Sequence, residues 1–271
     1  MAEKFSETIA GKNSGEIIFL SDLDRTLIFS YNRLSSENLC VEKREGKELS
    51  YMTHRSAGIF SEIVDKITFI PITTRSKEQY ERIVFPGGYV PRYAIIDNGA
   101  NLLVDGVPDS EWRKEFREAF LRAADEITAC REFLQKEKSL YYKITVVDDS
   151  FLFTKSREPA ETLERICRNV RIAHTSVYQN GEKLYVIPTG ISKERAADKI
   201  REMLSGDILI AAGDSFFDEQ MLRRADIAII KSGELSGRKL NPKQFSENSG
   251  DDPDFVMNTL AGIVSKKDAD N

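Results

Sequence analysis

The chain has 271 residues, 41% hydrophobic and 31% charged, enough for one large core or for a core domain with a smaller companion. Its 39 Lys+Arg against 44 Asp+Glu give a formal charge of −5, which argues against a protein built mainly to hold nucleic acid or an anionic membrane. No stretch reaches the ~20 apolar residues of a membrane span, the opening Met1 to Glu16 lacks the apolar segment of a secretory signal, and three scattered cysteines (Cys40, Cys130, Cys167) suggest no disulfide framework, so a reducing cytoplasm is the expected compartment.

In chain order, the first strong apolar run is Ile17 to Leu20, which stops abruptly at Ser21-Asp22 and reads as a buried strand. Between Ser30 and Thr53, the runs Cys40 to Glu42 and Leu49 to Met52 flank Lys43 to Lys47 and predict a polar hairpin above that strand. Ser56 to Lys66 has the three-and-four apolar spacing of an amphipathic helix, as does Ser192 to Leu204. Further short apolar runs lie at Ile67 to Ile72, Tyr93 to Ile96, Asp207 to Ala212 and Ile227 to Ile230. Apolar strands alternating with helices predict an α/β fold, a Rossmann-like doubly wound parallel sheet covered on both faces.

The stretch from about Leu103 to Pro188 breaks this rhythm. A long helical pattern runs from Trp112 to Phe133, strand-like runs follow at Tyr141 to Val147 and Phe151 to Thr154, and a helix follows Pro159. Two extended runs, Ile172 to Tyr178 and Lys183 to Ile187, meet at Asn180-Gly181, a strong hairpin signal. We expect residues 104–188 to form a smaller inserted α+β domain, with 1–103 and 189–271 forming the core. The polar stretch Lys231 to Asp254 reads as a long loop before a last helix, Phe255 to Val264.

Ligands of open α/β sheets bind beyond the carboxyl ends of the strands. Asp22-Leu23-Asp24-Arg25-Thr26 follows the first core strand, Thr73-Thr74-Arg75-Ser76 the second, Asp97-Asn98-Gly99-Ala100 the third, and Gly213-Asp214-Ser215, with Asp218 beyond, a later one. Lys193 opens a helix leaving the insert. Each has a bland reading taken alone: a strand-end turn for Asp22 to Asp24, a helix cap for Thr73-Thr74, a solvated charge for Lys193. Together the four carboxylates Asp22, Asp24, Asp214 and Asp218, with a lysine and two threonines, would share one rim, which suits phosphoryl transfer through Mg²⁺, a hard cation that prefers oxygen ligands. His54 and His174 fall in different elements and make no zinc site with the cysteines. A carboxylate can act as nucleophile and form an aspartyl-phosphate, and a second carboxylate two residues on can serve as acid and base.

These four segments resemble the signature motifs of the haloacid dehalogenase (HAD) superfamily. Asp22-Leu23-Asp24-Arg25-Thr26 resembles DxDxT, Ile72-Thr73-Thr74-Arg75 the second motif, Gly190-Ile191-Ser192-Lys193 the third and Gly213-Asp214-Ser215-Phe216-Phe217-Asp218 the fourth, GDSxxD. The insert between the second and third motifs, after Asp97-Asn98-Gly99-Ala100, is similar to the C2 cap of Cof-type and sucrose-phosphatase-like members. The resemblance implies a phosphatase acting on a small phosphorylated metabolite such as a sugar phosphate. It implies Asp22 as nucleophile, Asp24 as general acid/base, Lys193 as a neutralising and orienting cation, and Thr73 and Thr74 around the phosphoryl group, with Asn98 near phosphate or substrate. Mg²⁺ would be held by Asp22, the Asp24 carbonyl and Asp214, with Asp218 as a further ligand or support. Arg25 and Thr74 stand where many members have glycine, and Phe217 where asparagine is common. Transfer to a sugar, as in phosphomutases, and a low-turnover metal- or metabolite-binding protein are the alternatives. No nucleic-acid or membrane partner is expected, and the sequence leaves the oligomeric state open.

Overall fold

The computed structural model describes residues 16–30, 38–205, 208–247 and 252–270. The strands are β1 (Ile17–Ser21), β2 (Phe29–Ser30), β3 (Asn38–Arg44), β4 (Lys47–Thr53), β5 (Thr68–Pro71), β6 (Tyr93–Ile96), β7 (Asn101–Val104), β8 (Val107–Pro108), β9 (Thr145–Val147), β10 (Phe151–Lys155), β11 (Thr175–Asn180), β12 (Lys183–Pro188), β13 (Ile208–Gly213), β14 (Ile227–Ile230) and β15 (Gln244–Ser246). The helices are α1 (His54–Ile63), α2 (Lys77–Tyr80), α3 (Ser110–Leu134), α4 (Pro159–Asn169), α5 (Lys193–Leu204), α6 (Glu219–Arg224) and α7 (Phe255–Asp270).

The core is a five-stranded parallel sheet in the order β15-β14-β13-β1-β5. Its interior strands β14, β13 and β1 are almost wholly apolar because both faces are covered. Side chains alternate: Ile18, Leu20, Ile70, Ile72 and Ala211 face α5, α6 and the start of α3, whereas Ile17, Phe19, Phe69, Ile210 and Ala212 face α1 and α7. Strand β6 extends the array through a parallel bridge, Ile72 to Ile95, and then turns back into the antiparallel set β6-β7-β8. Because the chain runs from β1 to β5 on one side and returns to β13 on the other, the carboxyl end of β1 is a switch point where loops diverge and leave a crevice.

The doubly wound α/β expectation is met. Differences from the sequence reading are local. Between Lys231 and Asp254 the chain adds strand β15, whose three residues, Gln-Phe-Ser, lack the apolar run that marks an interior strand. Tyr141 to Ile144 do not join β9, which begins at Thr145. The last helix runs on from Val264 to Asp270. The hairpin turn between β11 and β12 centres on Gly181-Glu182, since Asn180 still pairs with Lys183. Asp207, expected to open a strand, lies outside the described residues, as do parts of the segments expected around 30–53 and 231–254.

Between β8 and α5 lies an antiparallel sheet, β11-β12-β10-β9, backed by α3 and α4. Its apolar face, with Leu152 and Val186, packs on Ala123, Ile127, Cys130 and Leu134 of α3 and Ile166 of α4. The opposite face, with Phe153, Lys155, Lys183 and Tyr185, overhangs the carboxyl ends of the core strands. No helix among the described residues is long and apolar enough to cross a membrane.

Candidate active site

Asp22 immediately follows β1, its amide donating to Ala212 O of β13 at 3.0 Å. Leu23 is fully buried on the opposite side, so the extended chain turns Asp22 and Asp24 toward one cleft. Asp22 is nearly buried, at 7% exposure.

Lys193 is the first residue of α5. Its helix is capped by Ser192, whose hydroxyl accepts from Arg195 N at 3.1 Å. A cation is unfavourable at a helix N-terminus, and this one is 1% exposed, so it needs anionic partners. It has two: Nζ donates to Asp22 Oδ1 at 2.5 Å and to Asp218 Oδ1 at 2.6 Å. Asp218 Oδ2 accepts from the amide and hydroxyl of Ser215 at 3.0 and 2.8 Å. Close backbone approaches permit this convergence. A Cβ on Gly213 would lie 2.4 Å from Asp218 Cβ, and one on Gly99 (φ 106) would lie 2.5 Å from Ser192 O. Only glycine lets the fourth motif and the N-terminus of α5 press against their neighbours.

The electrostatics follow from crowding. Burial pushes the Asp22 carboxyl up, Asp218 and Asp24 add to this and Lys193 opposes it, leaving it at about 7. Burial likewise raises Asp214, helped by Asp22 and Asp218, to about 8. Burial acts to lower the Lys193 ammonium, but Asp218 and Asp22 outweigh it and hold the group above its ordinary value. One ammonium does not balance three carboxylates. Oxygens of Asp22, Asp214 and Asp218 lie within 4.8 Å of one another, an arrangement that can hold a metal ion. Asp214 Oδ2 is buried without an aligned hydrogen bond among the described residues. A buried oxygen lacking a donor, inside an all-carboxylate set with no His or Cys, fits a hard divalent cation such as Mg²⁺.

Arg25, which stands where many members have glycine, adds a cation beside the expected nucleophile, and the structure directs it to Asp214. It sits at φ 68, a left-handed conformation costing a residue other than glycine roughly 1–2 kcal/mol. Its Nε lies 2.9 Å from Asp214 Oδ2, in ion-pair range without hydrogen-bond alignment.

Asp24 is bound differently. Its side chain is half exposed, yet it lies in a cleft among protein charges. Arg75 grips it with two parallel bonds, Nε to Oδ2 at 2.8 Å and Nη2 to Oδ1 at 2.7 Å. Partial burial acts to raise the Asp24 carboxyl, but the bonds and charge of Arg75 prevail and hold it below its usual range. Buried Glu42 on β3 anchors Arg75 in turn (Nη1 to Oε2, 2.9 Å) together with Arg82 (Nη2 to Oε1, 3.0 Å). Sequence reasoning quoted Arg75 without a role and missed Glu42 and Arg82. Glu42, an acidic residue turned inward on a short hairpin strand, was the available signal.

The two threonines part company. Thr74 lines the cleft, whereas Thr73 is fully buried and its hydroxyl accepts from Arg75 N at 3.2 Å. Asn98 also sits behind the cleft. Its amide donates to Thr73 O at 2.9 Å and Asp97 N donates to Arg75 O at 2.9 Å, so the Asp97-Asn98 turn braces the second-motif loop. Both residues have positive φ.

Two connected cavities share Asp24, Arg25, Thr74, Lys183 and Tyr185. One, of about 280 Å³, reaches Asp22, Lys193 and Asp214. The other, of about 420 Å³, runs between the β3–β4 hairpin and the antiparallel sheet, where Ser30, Ser50, Gln79 and Arg82 oppose Phe151, Phe153 and Tyr185. Aromatic contacts tie this roof to the fourth motif: Phe217 packs on Tyr185 and Tyr178 with ring centroids 5.0 and 5.5 Å apart, and Phe216 meets Tyr178 at 5.4 Å.

A model of the sucrose-6F-phosphate phosphohydrolase family matches residues 15–244. The chain belongs to that family. The sucrose-6F-phosphate phosphohydrolases are HAD-superfamily phosphatases, so the motif resemblance and the enzyme class both hold. The sucrose-phosphatase of Synechocystis sp. PCC6803 superposes with a TM-score of 0.62 at 12% identity, over 92% of this chain and 98% of that one. A HAD-superfamily phosphatase from Bacteroides thetaiotaomicron gives 0.56 at 14%, over 93% and 97%. A haloacid dehalogenase-like hydrolase from Bacillus subtilis gives 0.53 at 14%, over 96% and 99%. At these identities the likenesses establish the fold, a HAD core with its cap. A search of the curated proteins finds no significant match.

Proposed function

We propose that the protein is a Mg²⁺-dependent phosphatase of a phosphorylated sugar, working through an aspartyl-phosphate on Asp22, with residues 104–188 as the cap. The observation that carries this reading is the convergence of Asp22, Asp214 and Asp218 around Lys193 at the carboxyl end of β1. Family membership supports the phosphatase chemistry and a sugar-phosphate substrate.

In this reading Lys193 holds Asp22 Oδ1, leaving Oδ2 to attack phosphorus while the bond to the sugar oxygen breaks. Asp24 gives that oxygen a proton and then takes one from the water that hydrolyses the aspartyl-phosphate. Arg75 keeps Asp24 ionised at rest, and an arriving phosphoryl dianion acts in the opposite sense, raising its proton affinity. Thr74 faces the phosphoryl oxygens, while Thr73 and Asn98 hold the loop that carries it. Asp22, the Asp24 carbonyl and Asp214 would ligate Mg²⁺, with Asp218 supporting. The cation would neutralise charge on the transferring phosphoryl group and restore Asp22 to its ionised form. The sugar would occupy the 420 Å³ cavity, where hydroxyl, amide and guanidinium groups face aromatic rings.

The test is phosphate release from a panel of sugar phosphates with and without Mg²⁺. Release that requires Mg²⁺ and is abolished by Asp22→Asn is expected. Turnover surviving Asp22→Asn refutes the covalent route, and no turnover on any phosphomonoester refutes the phosphatase reading.

A further inference from the structure

This inference rests on the divalent-cation reading above and concerns Arg25, which that reading does not use. Arg25 stands one residue after Asp24 in a backbone conformation that favours glycine. Its backbone is pinned there, with the amide donating to Ile28 O at 2.8 Å. Its side chain nonetheless turns inward, placing Nε 2.9 Å from Asp214 Oδ2.

Lys193 bonds Asp22 and Asp218 but not Asp214. Among the described residues, Arg25 is therefore the one cation in ion-pair range of Asp214. With all three carboxylates ionised, the set with Lys193 would carry a charge of about −2, and the guanidinium would reduce this to about −1. Asp214 Oδ2 is also the buried oxygen left without an aligned hydrogen bond, the atom best placed to ligate a divalent cation. Mg²⁺ binds oxygen at roughly 2 Å and in a strict geometry. A guanidinium against the same oxygen obstructs that approach and repels the incoming charge. The obstruction is removable, because the Arg25 side chain is 34% exposed and lines both cavities, so it has open cleft to turn into.

We propose that Arg25 is a tethered counter-ion for Asp214 that competes with the divalent cation and must swing away before the cation binds. The site thus has two alternative occupants, one covalently attached. Apparent cation affinity falls by the fraction of molecules in which Asp214 is free, so a seated-to-free ratio of about ten weakens it roughly tenfold.

The test is calorimetric titration of Mg²⁺ into the metal-free full chain, without substrate, for the wild type, Arg25→Gly, Arg25→Gln and Arg25→Lys. Thermal melting of each variant accompanies it. Arg25→Gly and Arg25→Gln should bind Mg²⁺ roughly tenfold more tightly than the wild type, and Arg25→Lys, which keeps a cation, should stay near it. Arg25→Gln retains the backbone strain, so agreement between it and Arg25→Gly assigns the effect to charge. Wild-type or weaker affinity in Arg25→Gln with an intact melting transition overturns the proposal. Asp214→Asn separates the two readings. If it binds Mg²⁺ like the wild type, the cation is not at Asp214 and the underlying site assignment fails too. If it loses binding while the Arg25 variants remain at the wild-type value, only the competition fails.

Discussion

Replacing Lys193 with methionine removes the ammonium that holds Asp22 and Asp218 together, while keeping most of the side-chain length. Lys193 and Asp218 are fully buried and Asp22 nearly so, so water cannot take over the lost bonds. Deleting one partner of such a buried ionic group costs about 3–5 kcal/mol, because the stranded charges remain. For a chain of this size each kcal/mol moves the melting temperature by about 2–4 °C, so the variant should melt roughly 6–20 °C lower at neutral pH without divalent cation. The variant should also relieve itself by taking up protons. Without Lys193, the Asp22 carboxyl rises further above its value of about 7. A folded-state carboxyl raised above its unfolded value binds more protons than the unfolded chain, so stability is lost as pH rises through that window and regained on acidification. Differential scanning calorimetry at about pH 8 and pH 5.5 reads both effects, and the deficit should shrink at the lower pH. A melting temperature within about 2 °C of the wild type at neutral pH, or a deficit that grows on acidification, would refute the assignment of Lys193 as the buried counter-charge.

Burial pushes Asp97 up to about 7, so its ionisation penalises the fold increasingly as pH rises from about 4 through 7. Asp97→Asn should therefore gain melting temperature relative to the wild type more at about pH 8 than at pH 5, and an equal difference at both contradicts this. Arg75→Met frees Asp24 from the pair that holds its carboxyl low. As the acid of the first step Asp24 must carry a proton, so the alkaline limb of the kcat/KM profile should then move to higher pH, and an unmoved limb would separate that limb from Asp24. Phe217→Ala removes two aromatic contacts between the fourth motif and the roof, worth about 1–3 kcal/mol together. Amide exchange in β11 and β12 should accelerate, more than in Phe216→Ala, whose ring is already half exposed; equal protection in both variants removes Phe217 from the roof's attachment.

The local grammar of the chain was legible because it is periodic or contiguous. Apolar runs that end abruptly in Asp22, Thr73 and Asp214 mark strand ends, and the spacing Asp22-Leu23-Asp24 directs two carboxylates to one side wherever the backbone is extended. Ser192 before Lys193 is a helix start by composition alone. Strand β15 escaped notice because an edge strand needs no apolar run.

Pairing across long separations was not legible. Lys193 meets Asp22 across 171 positions and Arg75 meets Asp24 across 51, and no spacing rule chooses those partners. The amino-acid sequence alone determined which chemical groups stand at the strand ends: carboxylates, a lysine, threonines. Only the tertiary structure decided how their charges are shared, tying Asp24 to Arg75 and Glu42, bringing Arg25 against Asp214 and turning Thr73 and Asn98 behind the cleft. The physical reason is that strand and helix periodicity acts on neighbouring residues, whereas ion pairing and desolvation depend on which distant backbones the folded sheet and its overhanging module bring together.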